Sequence, residues 1–240
     1  MFHRVTIRAA DCEASGRFYA TVLATLGIPR TRTDEQAAEW QDFAVVSAGD
    51  GRPVTRRLHI GFVAPSRAEA DAFWRAGTEA GYRDDGAPGP RPEYGDDYYG
   101  AFLLDPDGNS AEAVHHDSLR RGGAIDHLWI RVADVPAAKR FYETIAPYAG
   151  AQLRTDTPGR AQFKGDSGSF SVVWGDAPTE HVQMAFRAPD GATVDAFHGA
   201  AIEAGYRDGG GAGDRAGSYR ACIVDPDGNT AELVFNHNQE

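Results

Sequence analysis

Residues 105–112 read DPDGNSAE, and residues 225–232 read DPDGNTAE. Nearly the same eight-residue pattern therefore occurs twice, 120 positions apart. Two further strings repeat at a similar spacing, namely AGYRD at 80–84 and 204–208, and RFY at 17–19 and 140–142. Repetition at a nearly fixed period indicates that a chain is built from copies of one structural unit. We therefore divide the chain into a first copy, 1–117, and a second copy, 124–240.

Each copy contains two rounds of the same order of elements: a strand, a helix and then further strands. In the first copy, alternating apolar residues predict strands, and apolar residues three and four apart predict helices that end before Gly27 and Gly81. The predicted segments are strands 5–8, 43–46 and 58–63, helices 15–26 and 66–80, and a hairpin of strands 101–104 and 111–114. A Pro/Gly-rich loop is predicted over 86–97, and a join without apolar periodicity near 117–123. The chain is thus predicted to hold four βαβββ modules, an α+β architecture.

The composition is that of a globular protein that can bury a core. Its 240 residues are 42% apolar with a net charge of −11, and there is no basic stripe of the kind that nucleic-acid-binding proteins carry. No window approaches the roughly 18 apolar residues of a membrane span, and the first residues lack the sections of a signal peptide. We therefore expect neither nucleic acid nor membrane as a partner, and a cytoplasmic location. Cys12 and Cys222 lie in different copies and are expected to be reduced.

Four motifs occur along the chain. One strand carries His127 and Arg131, Phe141-Tyr142 follows on the next helix, residues 59–62 read HIGF, and each DPDGN turn is followed by a glutamate. This set resembles the vicinal-oxygen-chelate superfamily, which includes glyoxalases, bleomycin-resistance proteins and extradiol dioxygenases. The resemblance covers nearly the whole chain. It implies two curved, mainly antiparallel sheets around cavities with helices outside, and one divalent metal ion (Zn, Ni, Mn or Fe) that chelates vicinal oxygens of a small-molecule substrate.

The family places its metal ligands on the first strands of paired modules and on the strand after DPDGN. That last position is clear in both copies, where Glu112 and Glu232 stand among small apolar residues. A carboxylate in such surroundings needs a metal ion or a cationic partner. An EF-hand loop starting at Asp105 is rejected, because that loop needs glycine at its sixth position, and Gly108 is the fourth residue.

The first strands of the two copies differ at the ligand position. Aligning Arg8 of the first copy with Arg131 of the second puts Arg4 at the repeat position of His127. His3 then falls on the apolar face of its strand, because strand side chains alternate between faces. His127 is therefore the expected ligand, and His3 is not.

The first strands of the second and fourth modules also differ. Aligning Phe62 with Phe186 puts His59 at the repeat position of Gln183. His59 is an expected ligand. Gln183 could bind through its carbonyl oxygen, or His181, on the same face two residues away, could take its place.

Two pairings of the modules remain open. If each copy closes on itself, the sites are Arg4-His59-Glu112 and His127-Gln183-Glu232, and both are incomplete. If the first module pairs with the fourth and the second with the third, one site is His59-Glu112-His127, and the other is a degenerate set of Arg4, Gln183 and Glu232. We favour this crosswise pairing, because it collects both losses in one site; the Arg4 guanidinium would then replace the metal charge beside Glu232.

The expected function is that of a metal-dependent enzyme of lyase or isomerase type, in which Glu112 is a ligand and also shuttles a proton. Extradiol-type dioxygenase chemistry, metal-free binding of an antibiotic or metabolite, and a purely structural tandem domain are the alternatives. Residues expected to line the substrate cavity are Trp129, Arg131, Tyr98, Tyr99 and His181. His115 and His116 are assigned to a solvated linker. The protein is expected to be a monomer or a homodimer.

Overall fold

A computed structural model describes residues 1–49, 51–120, 122–215 and 217–237. Arg121 in the predicted join and residues 238–240 of the second copy lie outside the described residues. Within the described part, four helices and sixteen strands follow one another in the order of four βαβββ modules, so the predicted α+β architecture is confirmed. None of the helices described there is long and apolar enough to cross a membrane.

The modules follow one another without interruption. The first consists of β1 (Phe2–Ala9), α1 (Cys12–Ala24), β2 (Arg32–Thr33), β3 (Ala37–Trp40) and β4 (Phe43–Ser47). The second consists of β5 (His59–Val63), α2 (Arg67–Glu79), β6 (Arg83–Pro90), β7 (Tyr99–Leu104) and β8 (Ser110–His115). The third consists of β9 (Ile125–Val132), α3 (Val135–Ile145), β10 (Gln152–Thr157), β11 (Arg160–Lys164) and β12 (Ser169–Trp174). The fourth consists of β13 (Gln183–Arg187), α4 (Gly191–Glu203), β14 (Arg207–Arg215), β15 (Ser218–Val224) and β16 (Thr230–Asn236).

All four helices begin at a residue whose side chain accepts a hydrogen bond from a backbone N–H of the first turn. The caps are Asp11, Ser66, Asp134 and Asp190, with donor–acceptor distances of 2.9, 3.1, 2.9 and 2.7 Å. Such caps satisfy N–H groups that have no partner inside the helix. Gly81 and Gly205 follow α2 and α4 with φ of 84° and 83°, the left-handed conformation in which glycine ends a helix at little cost.

The DPDGN turn fixes the parallel pairing of β5 with β8. The buried Asp105 carboxylate accepts from the Asn109 backbone N–H at 2.8 Å and from the Tyr19 hydroxyl of α1 at 3.0 Å. Asn109 then accepts from the Leu58 N–H at 3.1 Å, just before β5. The same bonds recur around Asp225 in the second copy. This network places β8 alongside β5 with Gly61 opposite Glu112.

The chain forms two compact units, which we describe separately. The first unit is Thr6–Leu128, and the second is Met1–Val5 with Trp129–Glu240. The first unit contains strands in the orders β1-β4-β3-β2 and β9-β5-β8-β7-β6, and the second contains the orders β14-β15-β16-β13-β1 and β10-β11-β12-β9. Strands β1 and β9 contribute to both units, because the unit boundaries fall inside them.

The core of the first unit is an aromatic cluster between α1 and its strands. Tyr19, Phe43 and Phe62 are fully buried, with the Tyr19 and Phe43 ring centroids 4.6 Å apart. Phe62 lies on β5, so the alternation of side chains turns His59 and Gly61 to the opposite face of that strand. The site residues therefore occupy the face of the sheet that the core leaves free.

The predicted loop over 86–97 is partly wrong. Strand β6 extends through Gly86 to Pro90 and pairs with β7, with register shifts on both sides of Gly86. Gly86 has φ of 156°, and a Cβ atom there would press on Phe102. Bulges of this kind let Gly- and Pro-rich sequence remain in an edge strand, although its composition is typical of a loop.

Candidate metal centre

Two histidines and one glutamate meet at one point of the first unit. The Glu112 Oε2 atom lies 3.0 Å from His59 Nε2 and 3.3 Å from His127 Nε2. Among the described residues, these three form the one group of His, Cys, Asp or Glu side chains whose ligand atoms all lie within 4.8 Å of one another. The residues come from β5, β8 and β9, and Glu112 is 1% exposed.

Two glycines make room for these side chains. A Cβ atom at Gly61 would come within 3.0 Å of three imidazole atoms of His127. A Cβ atom at Gly100, on β7, would lie 2.5 Å from Glu112 Oε1. The two donors that lie deepest therefore depend on the absence of a side chain on a neighbouring strand.

The outer nitrogen of each imidazole is held by its own acceptor. His59 Nδ1 lies 3.2 Å from Ser110 Oγ, whose single proton is directed to Asp85 at 2.6 Å. Ser110 therefore accepts from the Nδ1–H of His59. His127 Nδ1 lies 3.0 Å from Asp126 Oδ2 and donates to it. Both Nε2 atoms thus point to Glu112 and become metal donors when they lose their protons, an orientation that partners of this kind impose on metal-binding histidines.

Tyr98 and His116 complete a ring around the site. The Tyr98 hydroxyl donates to Glu112 Oε1 at 2.8 Å, and its ring stacks on His116 at 5.7 Å. His116 Nε2 lies 3.4 Å from Asp126 Oδ2, and Asp126 bonds to His127. These contacts connect Glu112 to His127 through Tyr98, His116 and Asp126. The assignment of His115 and His116 to a solvated linker is wrong, since His115 is the last residue of β8 and the half-buried His116 stacks on Tyr98. The sequence contains one signal, a difference between the copies: Asn236 stands in the second copy at the repeat position of His116.

The electrostatics of the site favour a positive charge next to Glu112. Burial by itself would raise the pKa of Glu112, but hydrogen bonds and charge from His127 and His59 outweigh it and lower the pKa to about 2. Burial would likewise lower the pKa of His127, but its bonds to Asp126 and Glu112 raise the pKa to about 10. The carboxylates of Asp126 and Glu112 therefore keep the His127 imidazole protonated. A metal cation can take the place of the proton that faces Glu112.

The donor set fits a divalent metal ion. Ligand atoms about 2.1 Å from one ion and 90–110° apart lie roughly 3.0–3.4 Å from each other, and the donor separations here are 3.0, 3.3 and 3.3 Å. Imidazole nitrogens combined with one carboxylate oxygen suit Zn, Ni, Fe and Mn better than Ca or Mg. His59, Glu112 and His127 are the residues that would hold such an ion.

The second set of predicted site residues lies in the second unit and has a different arrangement. Gln183 Nε2 donates to Glu232 Oε2 at 3.1 Å, and Arg220 Nη1 lies 3.3 Å from Glu232 Oε1. Arg4 lies half-buried on β1. Arg220 was not among the predicted residues. The sequence does contain a signal for it, since this arginine occupies the repeat position of Gly100.

The structure does not bring all the predicted cavity residues to the metal donors. Tyr98 reaches Glu112, whereas the Tyr99 hydroxyl donates to Asp71 on α2 at 2.7 Å, because neighbouring strand residues face opposite sides. The other three belong to the second unit. Trp129 lies under the Arg160 guanidinium at 4.7 Å, Arg131 is exposed, and His181 lies in the turn before β13 with φ of 59°.

Tandem βαβββ modules with a cluster of two histidines and one glutamate define a vicinal-oxygen-chelate type of protein. The chain belongs to the Glyoxalase/Bleomycin resistance protein/Dioxygenase superfamily, whose family model matches residues 1–113 and 124–233. Both copies match separately, as the internal repeat predicts.

Solved structures with the same fold include plant and bacterial proteins. Glyoxalase I from Zea mays superposes with a TM-score of 0.67 at 18% identity, covering 98% of this chain and 92% of the other. A mutant of glyoxalase I from Zea mays gives a TM-score of 0.69 at 19% identity, with coverage of 98% and 93%. A putative dioxygenase from Bacillus subtilis subsp. subtilis strain 168 gives 0.68 at 15% identity, with coverage of 98% and 85%. These identities establish a common fold alone. A comparison with curated proteins found no match.

Proposed function

We propose that the protein is a divalent-metal-dependent enzyme acting on a small molecule with vicinal oxygens, by lyase or isomerase chemistry of glyoxalase type. The observation that carries the proposal is the convergence of His59, Glu112 and His127 donors at separations of 3.0–3.3 Å. A divalent ion in this set would act as a Lewis acid that stabilises negative charge on the chelated oxygens.

The protein's own residues orient the donors and move the proton. Asp126 and Ser110 fix the two imidazoles with Nε2 inward. Glu112 offers Oε2 to the two histidines, and its Oε1 accepts a hydrogen bond from the Tyr98 hydroxyl. Oε1 is therefore the atom at which Glu112 would take up and return a substrate proton, with the Tyr98 hydroxyl as its hydrogen-bond partner.

We further propose that the site is assembled crosswise, with the first strand of the second copy supplying His127. Two observations support this. Strand β9 lies next to β5 in the strand order, and residues Ile125–Leu128 belong to the same compact unit as β5 and β8. The simplest alternative, in which each copy builds its own site, would leave His59 and Glu112 with Arg4.

The test is the metal content of the protein purified without chelator and of single variants. We expect about one divalent ion per chain, lost in both His59→Ala and His127→Ala because three ligands hold one ion. Gln183→Ala should retain it. Two ions per chain, lost one at a time in the two histidine variants, would refute crosswise assembly. Absence of metal, with no activity change on adding Zn, Ni, Mn or Fe, would refute the enzyme proposal and favour metal-free binding.

Extradiol-type dioxygenase activity is the second candidate, and one observation favours it. Two histidines and one carboxylate with remaining open positions are the ligand set of non-haem Fe(II) oxygenases. The discriminating experiment loads the protein with Fe(II) or with Zn and measures O₂ consumption in the presence of a catechol. Uptake that depends on Fe(II) and is lost in Glu112→Ala would select the dioxygenase over the lyase.

A further inference from the structure

A histidine that the proposed function leaves unused lies next to the metal donors. His116 follows directly after β8, and its ring stacks on Tyr98 with the two planes inclined by 17°. Tyr98 in turn bonds to Glu112. On the other side, His116 Nε2 lies 3.4 Å from Asp126 Oδ2, and Asp126 bonds to His127. We call Tyr98, His116 and Asp126 the outer connection, because they link two donors without being donors themselves.

The Asp126 carboxylate needs a partner that fixes its direction. Asp126 directly precedes His127 on β9, and neighbouring strand side chains start on opposite faces. Its carboxylate therefore has to turn back to reach His127 Nδ1, where the bond is 3.0 Å long. Among the described residues, the Asp126 side chain bonds to the imidazoles of His116 and His127 alone, and Asp126 is only 8% exposed. Without His116, a single partner would have to hold this buried carboxylate in its turned position.

His116 is itself held at both ring nitrogens. An ionised carboxylate only accepts hydrogen bonds, so His116 Nε2 donates to Asp126. The Nδ1 atom of His116 lies 3.0 Å from the Ser118 hydroxyl. The stacked Tyr98 ring restricts the imidazole in the remaining direction. His116 is thus a fixed donor against which Asp126 can be oriented.

The two copies link the outer connection to the donors. The second copy lacks both donor histidines and also lacks every residue of the outer connection. Tyr98, His116 and Asp126 are matched there by Ser218, Asn236 and His3. The turn around Asp105, which aligns β8 with β5, has instead kept its hydrogen bonds in both copies. The outer connection has therefore changed together with the metal donors, while the fold has been retained.

We propose that His116 is a positioning residue of the metal centre, which holds the Asp126 carboxylate on the Nδ1–H of His127 and so directs His127 Nε2 to the metal. The part that concerns the metal rests on the proposed function, whereas the orientation of His127 can be measured without it. Loss of a partner that orients a metal-binding histidine weakens metal binding about 10–100-fold. His116 acts through such a partner, so we expect an effect near the lower end of this range.

The first test is the Zn affinity of the full-length protein, measured by competition with a chromophoric chelator. His116→Phe keeps a ring beside Tyr98 but cannot donate to Asp126, and it should bind Zn about tenfold more weakly. His116→Gln, whose amide N–H can replace the Nε2–H, should recover part of this loss. The matched control is His115→Phe, because His115 bonds to the Ala64 carbonyl and the second copy has Phe235 at its position. This control should bind Zn as the wild type does.

Double variants test whether His116 acts through Asp126. Asp126→Asn combined with His116→Phe should weaken Zn binding no more than Asp126→Asn alone, because both changes remove the same support of His127. Ser110→Ala affects the other histidine, His59, so its effect should multiply with that of His116→Phe. Multiplied effects in both pairs would overturn the proposal. Equal Zn affinities of wild type and His116→Phe would also overturn it.

A measurement on the metal-free protein separates this proposal from the proposed function. The His127 Nδ1 proton, held by Asp126, should give a downfield NMR signal in the wild type and in His115→Phe. In His116→Phe the signal should disappear, because a loosened bond lets the proton exchange with water. A wild type that binds no divalent ion would refute the enzyme proposal, whereas a signal lost only in His116→Phe would still support the positioning role. A signal retained in His116→Phe, or absent from the wild type, would overturn that role.

Discussion

The Nε2 atoms of His59 and His127 lie 3.3 Å apart, although 68 residues separate them in the sequence. Both imidazoles direct their Nδ1–H groups outward, to Ser110 and Asp126, so both Nε2 atoms can offer lone pairs to the same space. Two lone pairs facing each other repel, unless a proton or a cation lies between them. The bonds of His127 to Asp126 and Glu112 raise its pKa to about 10, so its Nε2 carries a proton directed to Glu112 and the two lone pairs do not face each other. A divalent ion that replaces it should release that proton to solvent.

Gly61→Ala should weaken metal binding while leaving the fold intact. The new methyl group would collide with the His127 imidazole, and the second copy has Ala185 at this position, where Arg4 stands in place of a histidine. We expect a loss of affinity of about tenfold or more, since a displaced ligand costs at least as much as a lost orienting partner. A competition titration of Zn against a chromophoric chelator measures it.

The control is Gly199→Ala on α4, where a Cβ atom would meet nothing within 4 Å. That variant should bind Zn as the wild type does. An unchanged affinity in Gly61→Ala would mean that His127 is not a ligand in solution.

Tyr98→Phe should weaken metal binding about tenfold or more, because partners that orient a ligand carry much of a site's affinity. The substitution removes the hydroxyl bond to Glu112 but keeps the ring that stacks on His116. Tyr99→Phe is the adjacent control, since its hydroxyl bonds to Asp71 outside the site. The same chelator competition applies. Equal effects of the two variants would contradict a specific role for Tyr98.

Asp42→Ala should lower the free energy of unfolding by about 3–5 kcal/mol, because it leaves a buried guanidinium unpaired. Arg120 Nη1 lies 2.7 Å from Asp42 Oδ2, and both side chains are nearly inaccessible. The contact is an ion pair rather than a well-directed hydrogen bond. Asp42 Oδ1 also accepts the Ala124 N–H at 2.7 Å, just before β9.

Urea unfolding of Asp42→Ala and of Asp34→Ala measures this difference. The Asp34 pair with Arg32 is exposed, and its loss should cost much less than the loss of the buried pair. Similar losses in the two variants would show that the Asp42 pair contributes no more than a surface pair does.

Stability between pH 6.5 and 5 should depend on His3. Burial, aided by nearby arginines, lowers the pKa of His3 from 6.5 to about 4, so the folded protein keeps this imidazole neutral where the unfolded chain takes up a proton. The unfolded state then binds more protons, and stability falls as the pH decreases through 6.5 towards 4. Urea unfolding at pH 7.0, 6.0 and 5.0 should show a smaller decline for His3→Gln than for wild type. Parallel declines would exclude His3 as the cause.

The repeat and strand alternation allowed much of the fold to be predicted. The DPDGN strings located Glu112 and Glu232, and matching Arg8 with Arg131 separated His3 from its neighbour Arg4. The four βαβββ modules are confirmed. These features are local or periodic, so they can be read from a single sequence.

The surroundings of the candidate site could not be predicted in the same way. The contact of His116 with Asp126, and the pairing of Arg220 with Glu232, depend on which strands become neighbours and on where loops turn back. The bulged course of β6 likewise needs its partner strand, since the residues Gly86 to Pro90 by themselves favour a turn. Comparing the copies position by position offers a partial remedy, because Arg220 stands where the first copy has a glycine.

The boundary of the first unit at Leu128 has a consequence for the order in which the protein is made. The first copy of the repeat ends before residue 124, yet His127 belongs to the compact unit that contains His59 and Glu112. A ribosome that has completed the whole first copy has therefore not yet supplied the third donor. If an ion is held by these three residues as we propose, the nascent first half cannot retain it in a three-donor site, and metal loading has to wait until translation has passed His127.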